Sequence, residues 1–279
     1  MRVAQEIITS RQNRLVIEVG KLADRKSRTT EKCFRFDGVK LLCEAISNGI
    51  AIEKLLLAES RSAQILSNLE SAKNAPSLKD AMVYILSDDA FSKVSGEQAP
   101  EGVVTVARFP SLHKRGPEAT ALVAELAAAP GKQVLLLESV RDPGNVGTIL
   151  RSASAFGVDA VVLSADCADI YNPKTIRGAM GALFRMQVAV VEDIIEAIGV
   201  LRDSGRRVFA AALDPTAVRL GKDTLCEGDA VVIGNEGHGL SEEAIRACGQ
   251  SLYIPMEEGS ESLNAAIAAS VILWSMYSK

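Results

Sequence analysis

The chain has 279 residues, 48% of them hydrophobic and 24% charged, a balance that excludes a disordered chain and supports one large domain or two ordinary ones. Its net charge of −4 is unevenly spread: residues 1–40 carry ten Lys and Arg against five Asp and Glu, and residues 113–279 carry 15 against 21. A basic N-terminal patch on an acidic protein fits an electrostatic footprint for phosphates, although ordinary solvated helix charges give the same count.

The five cysteines are widely spaced with no C-x-x-C pair, and only His113 and His238 could add imidazole ligands. No metal site is therefore expected, and buried reduced thiols are the ordinary reading. Met1–Glu6 has no apolar signal core. The longest apolar run, 263–277, is short for a bilayer span and is broken by Ser270 and Ser275. A cytoplasmic protein without membrane contact is expected. Aromatic residues make up 4% of the chain, so any RNA binding should rely on charge and backbone more than on stacking.

In chain order, apolar periodicity predicts a helix over 10–23, a basic loop at Arg25–Thr30, a strand at 33–36 and a helix over 38–47. Strands follow at 54–58, 82–86 and 103–107, with a helix starting at Ser60. These make an α/β domain over 1–110. Pro110, Gly116 and Pro117 interrupt the pattern, and an Ala-rich helical stretch to Ala129 closes at Pro130-Gly131, so 111–131 is read as a linker. The rest, 132–279, alternates strands at 133–137, 160–163, 187–191, 207–213, 230–233 and 252–254 with helices at 147–156, 172–180, 192–203, 241–248 and 263–277. Apolar runs such as Val134–Leu137 and Ala230–Ile233 are those of buried parallel strands. Strand–helix alternation predicts a parallel sheet covered on both faces, with ligands at the carboxyl ends of its strands.

Three loops lie at that edge. In the first, Pro143-Gly144 forces a turn after a strand, Asn145 can cap the next helix, and Arg151 lies one and a half turns in. Asp142, Asn145 and Arg151 are equally well read as turn former, cap and surface charge. In the second, Gly234-Asn235-Glu236-Gly237-His238-Gly239, the glycines permit close backbone approach to a ligand. It is neither a phosphate-binding G-K-[ST] loop nor a G-x-G-x-x-G fingerprint, which disfavours nucleotide hydrolysis and a Rossmann-like oxidoreductase. Glu236 is an acceptor or a solvated tip, and His238 is an ordinary loop residue. In the third, Ile254-Pro255-Met256 leads to Ser262, a natural cap, and Asn264, before a helix of small residues suited to close packing.

Taken together, Glu138-x-x-x-Asp142-Pro143-x-Asn145-x-Gly147-x-x-x-Arg151, then Ile233-Gly234-Asn235-Glu236-Gly237-x-Gly239-Leu240-Ser241, then Ile254-Pro255-Met256 with Ser262-Leu263-Asn264 resemble the three motifs of the SpoU (TrmH-type) RNA 2′-O-methyltransferases, in the same order. Asn172-Pro173-Lys174-x-x-Arg177-Gly178-Ala179-Met180-Gly181-Ala182 resembles a helix that the family carries between its first two motifs. Ile8-x-Ser10, Asn13 and Phe36-Asp37-Gly38 are weakly similar to an N-terminal RNA-binding domain akin to small ribosomal proteins.

The resemblance implies an α/β protein: a C-terminal parallel sheet tied in a deep trefoil knot, a rare exception to the rules of chain connection, behind a smaller α/β RNA-binding domain. It implies S-adenosylmethionine held by backbone at Gly234, Ile254 and Leu263. Arg151 would activate the ribose hydroxyl, acting with a substrate phosphate because guanidinium is ordinarily a permanent donor. Asn145, Glu236, Ser262 and Asn264 would orient substrate and loops. A homodimer and an RNA partner are implied, ribosomal RNA more than transfer RNA. Arg25, Lys26 and Arg28 are the candidate RNA contacts of the basic segment. A base-methylating relative and a non-catalytic RNA-binding or ribosome-assembly protein are the competing readings.

Overall fold

A computed structural model describes residues 1–72, 74–221, 224–257 and 262–278, apart from the side chain of Ser71. In chain order the elements are β1 (Arg2–Val3), α1 (Arg14–Lys21), α2 (Arg25–Glu31), β2 (Cys33–Asp37), α3 (Val39–Ser47), β3 (Ile52–Ala58), α4 (Glu59–Leu69), β4 (Met82–Leu86), α5 (Asp88–Ser92) and β5 (Val103–Arg108). There follow β6 (His113–Arg115), α6 (Pro117–Ala127), β7 (Val134–Leu137), α7 (Pro143–Ala155), β8 (Ala160–Ser164), α8 (Pro173–Ala179) and β9 (Gln187–Val191). The chain ends with α9 (Ile194–Asp203), β10 (Val208–Ala211), β11 (Val218–Arg219), β12 (Ala230–Ile233), α10 (Glu242–Cys248), β13 (Gly249–Tyr253) and α11 (Ala265–Tyr277).

Two compact units result. The first comprises Met1–Pro110 and Tyr171–Phe184. Its five-stranded mixed sheet runs β1-β4-β3-β5-β2, with β5 antiparallel to both of its neighbours. Val16, Val19 and Leu22 of the first helical segment pack with Leu56, Phe91, Val104 and Val106 to form one core. Opposite faces of β2 alternate, and Phe34 and Phe36 meet Phe184 at centroid distances of 6.3 and 5.2 Å, while Tyr171 stacks flat on Phe109 at 4.0 Å. Those aromatic contacts draw the segment with α8 into this unit, although in sequence it interrupts the second.

The second unit comprises Ser111–Ile170 and Arg185–Lys279. Its eight strands run β11-β13-β10-β12-β7-β8-β9-β6, every neighbouring pair parallel. On one face Val134, Leu136, Val162, Ala210 and Val232 pack under α6, α9 and α10. Because strand side chains alternate, Leu135, Leu137, Val161, Val231 and Ile233 point the other way, and they are buried as well. Both faces are therefore covered.

Residues 111–131, expected as a linker with one helical stretch, instead belong to the second unit: the helix is present as α6, packed on the sheet, and the edge strand β6 precedes it. Arg206, 6% exposed, fixes the end of α6: its guanidinium donates to the carbonyls of Leu126 at 2.8 Å and Ala129 at 2.9 Å, and to those of Lys132 and Gly228. The basic segment expected as a loop forms α2. Of the cysteines, Cys33, Cys167 and Cys248 are buried, but Cys43 and Cys226 are exposed. Among the described residues, no helix is long and apolar enough to cross a membrane.

Candidate active site

The site grows from strand register. Leu137 of β7 pairs with Ile233 of β12, so the two chains leave the sheet side by side, and the Glu138 amide donates to the Ile233 carbonyl at 2.9 Å. The glycine loop then folds on itself. Asn235 and Gly239 exchange backbone bonds of 2.9 and 3.0 Å, and Asn235 Oδ1 accepts from the amides of Gly237 and His238. Asn235 Nδ2 donates to the Ser139 carbonyl at 2.7 Å, and buried Glu138 accepts from both the amide and the hydroxyl of Ser241, at 2.9 and 2.6 Å. The first two loops are thus locked together. Gly234 is required by this fold: a Cβ there would lie 2.4 Å from the carbonyl carbon of Gly239.

At the carboxyl ends of β10, β12 and β13 the loops enclose a cavity of about 370 Å³. Gly234, Ile254 and Leu263, the expected cofactor contacts, all line it, as do Glu236 and Ser262. Leu240, Ile245, Leu252 and Ile272 provide apolar walls, and the glycine loop supplies backbone close to the cavity. The size lies in the range that accommodates a nucleoside-sized ligand. A neutral adenosyl group carried by backbone bonds and apolar walls fits this lining.

A polar chain runs beside the cavity. The amides of Ala266 and Ile267 donate to Asn264 Oδ1, Asn264 Nδ2 donates to Asn145 Oδ1 at 3.1 Å, and Asn145 Nδ2 donates to Glu236 Oε1 at 2.8 Å. Glu236 also accepts from the backbone amides of Arg141 and Asp142, at 3.2 and 3.1 Å. Burial alone would raise the Glu236 carboxyl, but these donors outweigh it and hold it below the usual range. Three donors meet the carboxylate, and through them it ties the second loop to the first.

Two capping expectations are corrected here. Asp142, not Asn145, caps α7 by accepting from the Asn145 amide at 2.9 Å, with Pro143 at the first helical position. Asn264, not Ser262, caps α11. Freed from capping, the Asn145 side chain links Glu236 to Asn264, which caps α11 with its oxygen and joins the polar chain with its nitrogen.

Arg151 lies on α7, which packs against α11 through a 2.8 Å contact between the Ser152 and Ser270 hydroxyls. It is exposed, and among the described residues its side chain makes no hydrogen bond or ion pair. It does not line the cavity. Arg25 and Lys26 are exposed on α2. Arg28 departs from the RNA-contact expectation: it is 2% exposed and its guanidinium donates to the carbonyls of Leu22 and Ala23 at 2.8 and 2.6 Å, so it braces the α1–α2 junction. Sequence reasoning did not single out Asp166. It accepts from the Ser139 and Ser164 hydroxyls at 2.5 and 2.6 Å and pairs with Arg141 at 3.3 Å. An Asp two residues beyond a strand-end Ser was the available signal.

A fully parallel sheet with interlocked loops and a cavity at its carboxyl edge defines a cofactor-binding α/β enzyme. Within that class, residues 132–274 match the SpoU rRNA Methylase family and residues 13–105 match the MRM3-like substrate binding domain; the chain belongs to the SpoU family. It is 34% identical to the 23S rRNA (guanosine(2553)-2′-O)-methyltransferase RlmP of Bacillus subtilis, covering 96% of this chain and 97% of that one. It is 27% identical to the 23S rRNA (uridine(2479)-2′-O)-methyltransferase of Streptomyces viridochromogenes, covering 96% and 90%. The crystal structure of an AdoMet-bound rRNA methyltransferase from Sinorhizobium meliloti superposes with a TM-score of 0.79 at 26% identity, covering 98% and 97%.

Proposed function

We propose that this protein transfers a methyl group from S-adenosylmethionine to a ribose 2′-hydroxyl of ribosomal RNA. It is an RNA methyltransferase of the SpoU family, and its RlmP relative is named for this reaction on 23S rRNA. The observation that carries the reading is the convergence of three loops far apart in sequence. Gly234, Ile254 and Leu263 line one cavity, and the Asn264–Asn145–Glu236 chain runs beside it.

When bound, S-adenosylmethionine supplies a sulfonium methyl whose leaving group departs neutral, so acid catalysis of its departure is unnecessary. The work left to the protein is alignment of the hydroxyl and exclusion of water. Gly234, Ile254 and Leu263 hold the cofactor from backbone and apolar surface. Asn145 and Asn264, their amides oriented by Glu236 and by the first turn of α11, fix the ribose. Arg151, uncommitted within the described residues, meets the hydroxyl together with a substrate phosphate. Ser262, at the cavity wall, orients the third loop.

Arg151 stands apart from the cavity of its own chain, and α11 exposes Ile267, Val271, Trp274 and Tyr277, apolar side chains at one-turn spacing. Both facts support a homodimer in which a second copy completes each site. A knotted C-terminal chain and a cytoplasmic location belong to the same reading. Arg25 and Lys26 are the RNA contacts proposed on the first unit.

The test is site mapping of methylation in total RNA from cells with and without the gene. A 2′-O-methylnucleoside lost with the gene supports the reading, and a lost methylated base replaces it with base methylation. Calorimetry showing no S-adenosylmethionine binding would return the chain to a non-catalytic RNA-binding role.

A further inference from the structure

Arg141 has no part in the motif that carries Asn145 and Arg151, yet its backbone is pinned to the same carboxylate. Its amide donates to Glu236 Oε2, while Asn145 Nδ2 donates to Oε1. The origin of its side chain is therefore fixed relative to the asparagine pair. The guanidinium itself is loosely held: it is 70% exposed, and its one partner among the described residues is Asp166, at 3.3 Å. An exposed single-contact pair of this kind, screened by water, adds little to stability.

Asp166, for its part, has little need of the arginine. Each of its oxygens already accepts a short bond from a serine hydroxyl, 2.5 Å from Ser139 and 2.6 Å from Ser164. Ser164 also accepts from the Ser139 amide at 2.9 Å, and Ser139 is held at a φ of +54°, a left-handed conformation that a serine adopts only when its surroundings impose it. The loop under Arg141 is thus rigid by its own bonds, and the guanidinium can leave Asp166 without loosening it.

Every ribose 2′-hydroxyl within an RNA chain lies beside a 3′-phosphodiester, so an enzyme that fixes the hydroxyl also fixes an anion next to it. We propose that Arg141 is a substrate-binding residue that exchanges its Asp166 partner for a backbone phosphate flanking the target ribose. This rests on the RNA-methylating reading above. Asp166 serves as the place-holder that keeps the guanidinium ordered until RNA arrives. The planar fork of arginine suits a phosphate better than the point charge of lysine.

The test is steady-state methylation of the RNA substrate by the full-length protein at several salt concentrations, with calorimetric S-adenosylmethionine affinity as a parallel readout. Arg141→Ala should raise KM for RNA about ten- to a hundred-fold, the loss expected for one charge-assisted bond. It should also lower the salt slope of RNA binding by about one and leave cofactor affinity unchanged. Arg141→Lys should recover only part of the loss. Asp166→Asn, which keeps an acceptor but removes the competing charge, should leave KM for RNA unchanged or lower. An unaltered KM and salt slope in Arg141→Ala would overturn the assignment, as would a KM rise of equal size in Asp166→Asn, which would make the pair a structural brace. If the wild-type protein methylates no RNA, the fault lies in the functional reading; methylation by wild type with these variant results places it in Arg141 alone.

Discussion

The cavity and the polar chain beside it share the second and third loops but are built by opposite means, and the first loop contributes Asn145 to the polar chain without lining the cavity. The cavity uses backbone and apolar surface: Gly234, Ile254, Leu240, Leu252 and Leu263. The polar chain uses side-chain amides and one carboxylate, each oriented by the next, from the first turn of α11 through Asn264 and Asn145 to Glu236. A ligand common to many enzymes can be held by shape, and almost any side chain that keeps the backbone path will serve. A ribose must be fixed in direction as well as place, and that takes groups with a donor end and an acceptor end. The difference teaches where substitutions should act: on cofactor affinity in the first region, on turnover in the second.

The largest effect should come from Arg151→Ala. Arg151 aligns the hydroxyl and its flanking phosphate as a donor, and misplacing a reacting group by about 1 Å costs about a hundred-fold, so turnover should fall by at least that order. Because Arg151 does not line the cavity, calorimetric affinity for S-adenosylmethionine should stay within about twofold of wild type, below the tenfold that 1.4 kcal/mol would give. A large loss of affinity would merge the two regions and undo the comparison.

Gly234→Ala should do the converse. The added Cβ would lie 2.4 Å from the Gly239 carbonyl carbon and 2.5 Å from the Leu240 amide nitrogen, so the loop must move. Overpacking of this kind costs about 1–3 kcal/mol, which corresponds to roughly a five- to hundred-fold weaker cofactor complex. At saturating cofactor, turnover should recover most of its wild-type value. Asn264→Ala comes next. It removes the bond to Asn145 and the cap of α11, lowering stability by about 1 kcal/mol and turnover by about tenfold, with cofactor affinity little changed. Thermal melting and single-turnover kinetics separate the two losses.

How far the sequence anticipated this arrangement depends on what kind of force set each element. Val134–Leu137 and Ala230–Ile233 are legible because a strand buried on both faces is apolar at every position. The edge strands β6 and β11 are not, since His113-Lys114-Arg115 and Val218-Arg219 have no periodicity and owe their conformation to the neighbour they pair with. The segment with α8 changes unit because aromatic rings far away in sequence receive it. Arg28 read as a phosphate contact because charge alone cannot distinguish a solvated arginine from one spent on buried carbonyls. The second and third motif loops line the cavity, but each helix cap lies a few residues from the one expected, at Asp142 and Asn264. Asp-Pro is a stronger helix start than Asn three residues later, and it leaves the Asn145 side chain available to the polar chain.

The smallest effect concerns pH. The Glu236 carboxyl lies below the usual range in the folded protein, so its bonds add stability at pH values above the ordinary glutamate value of about 4.3 and lose it only as pH falls further, through the folded value. Between pH 6 and 9 this group stays ionised, and any change in turnover must come from elsewhere. Glu236→Gln gives at neutral pH what acid would give to wild type. Its amide presents one acceptor and one donor to three donors, the amides of Arg141 and Asp142 and Nδ2 of Asn145, and at least one must turn away. Turnover of wild type should therefore show no inflection from this group across pH 6–9, and Glu236→Gln should run lower and parallel. A step near neutral pH that vanishes in Glu236→Gln would mean that the carboxylate takes a proton during turnover, making the polar chain part of the proton path instead of a frame for the ribose.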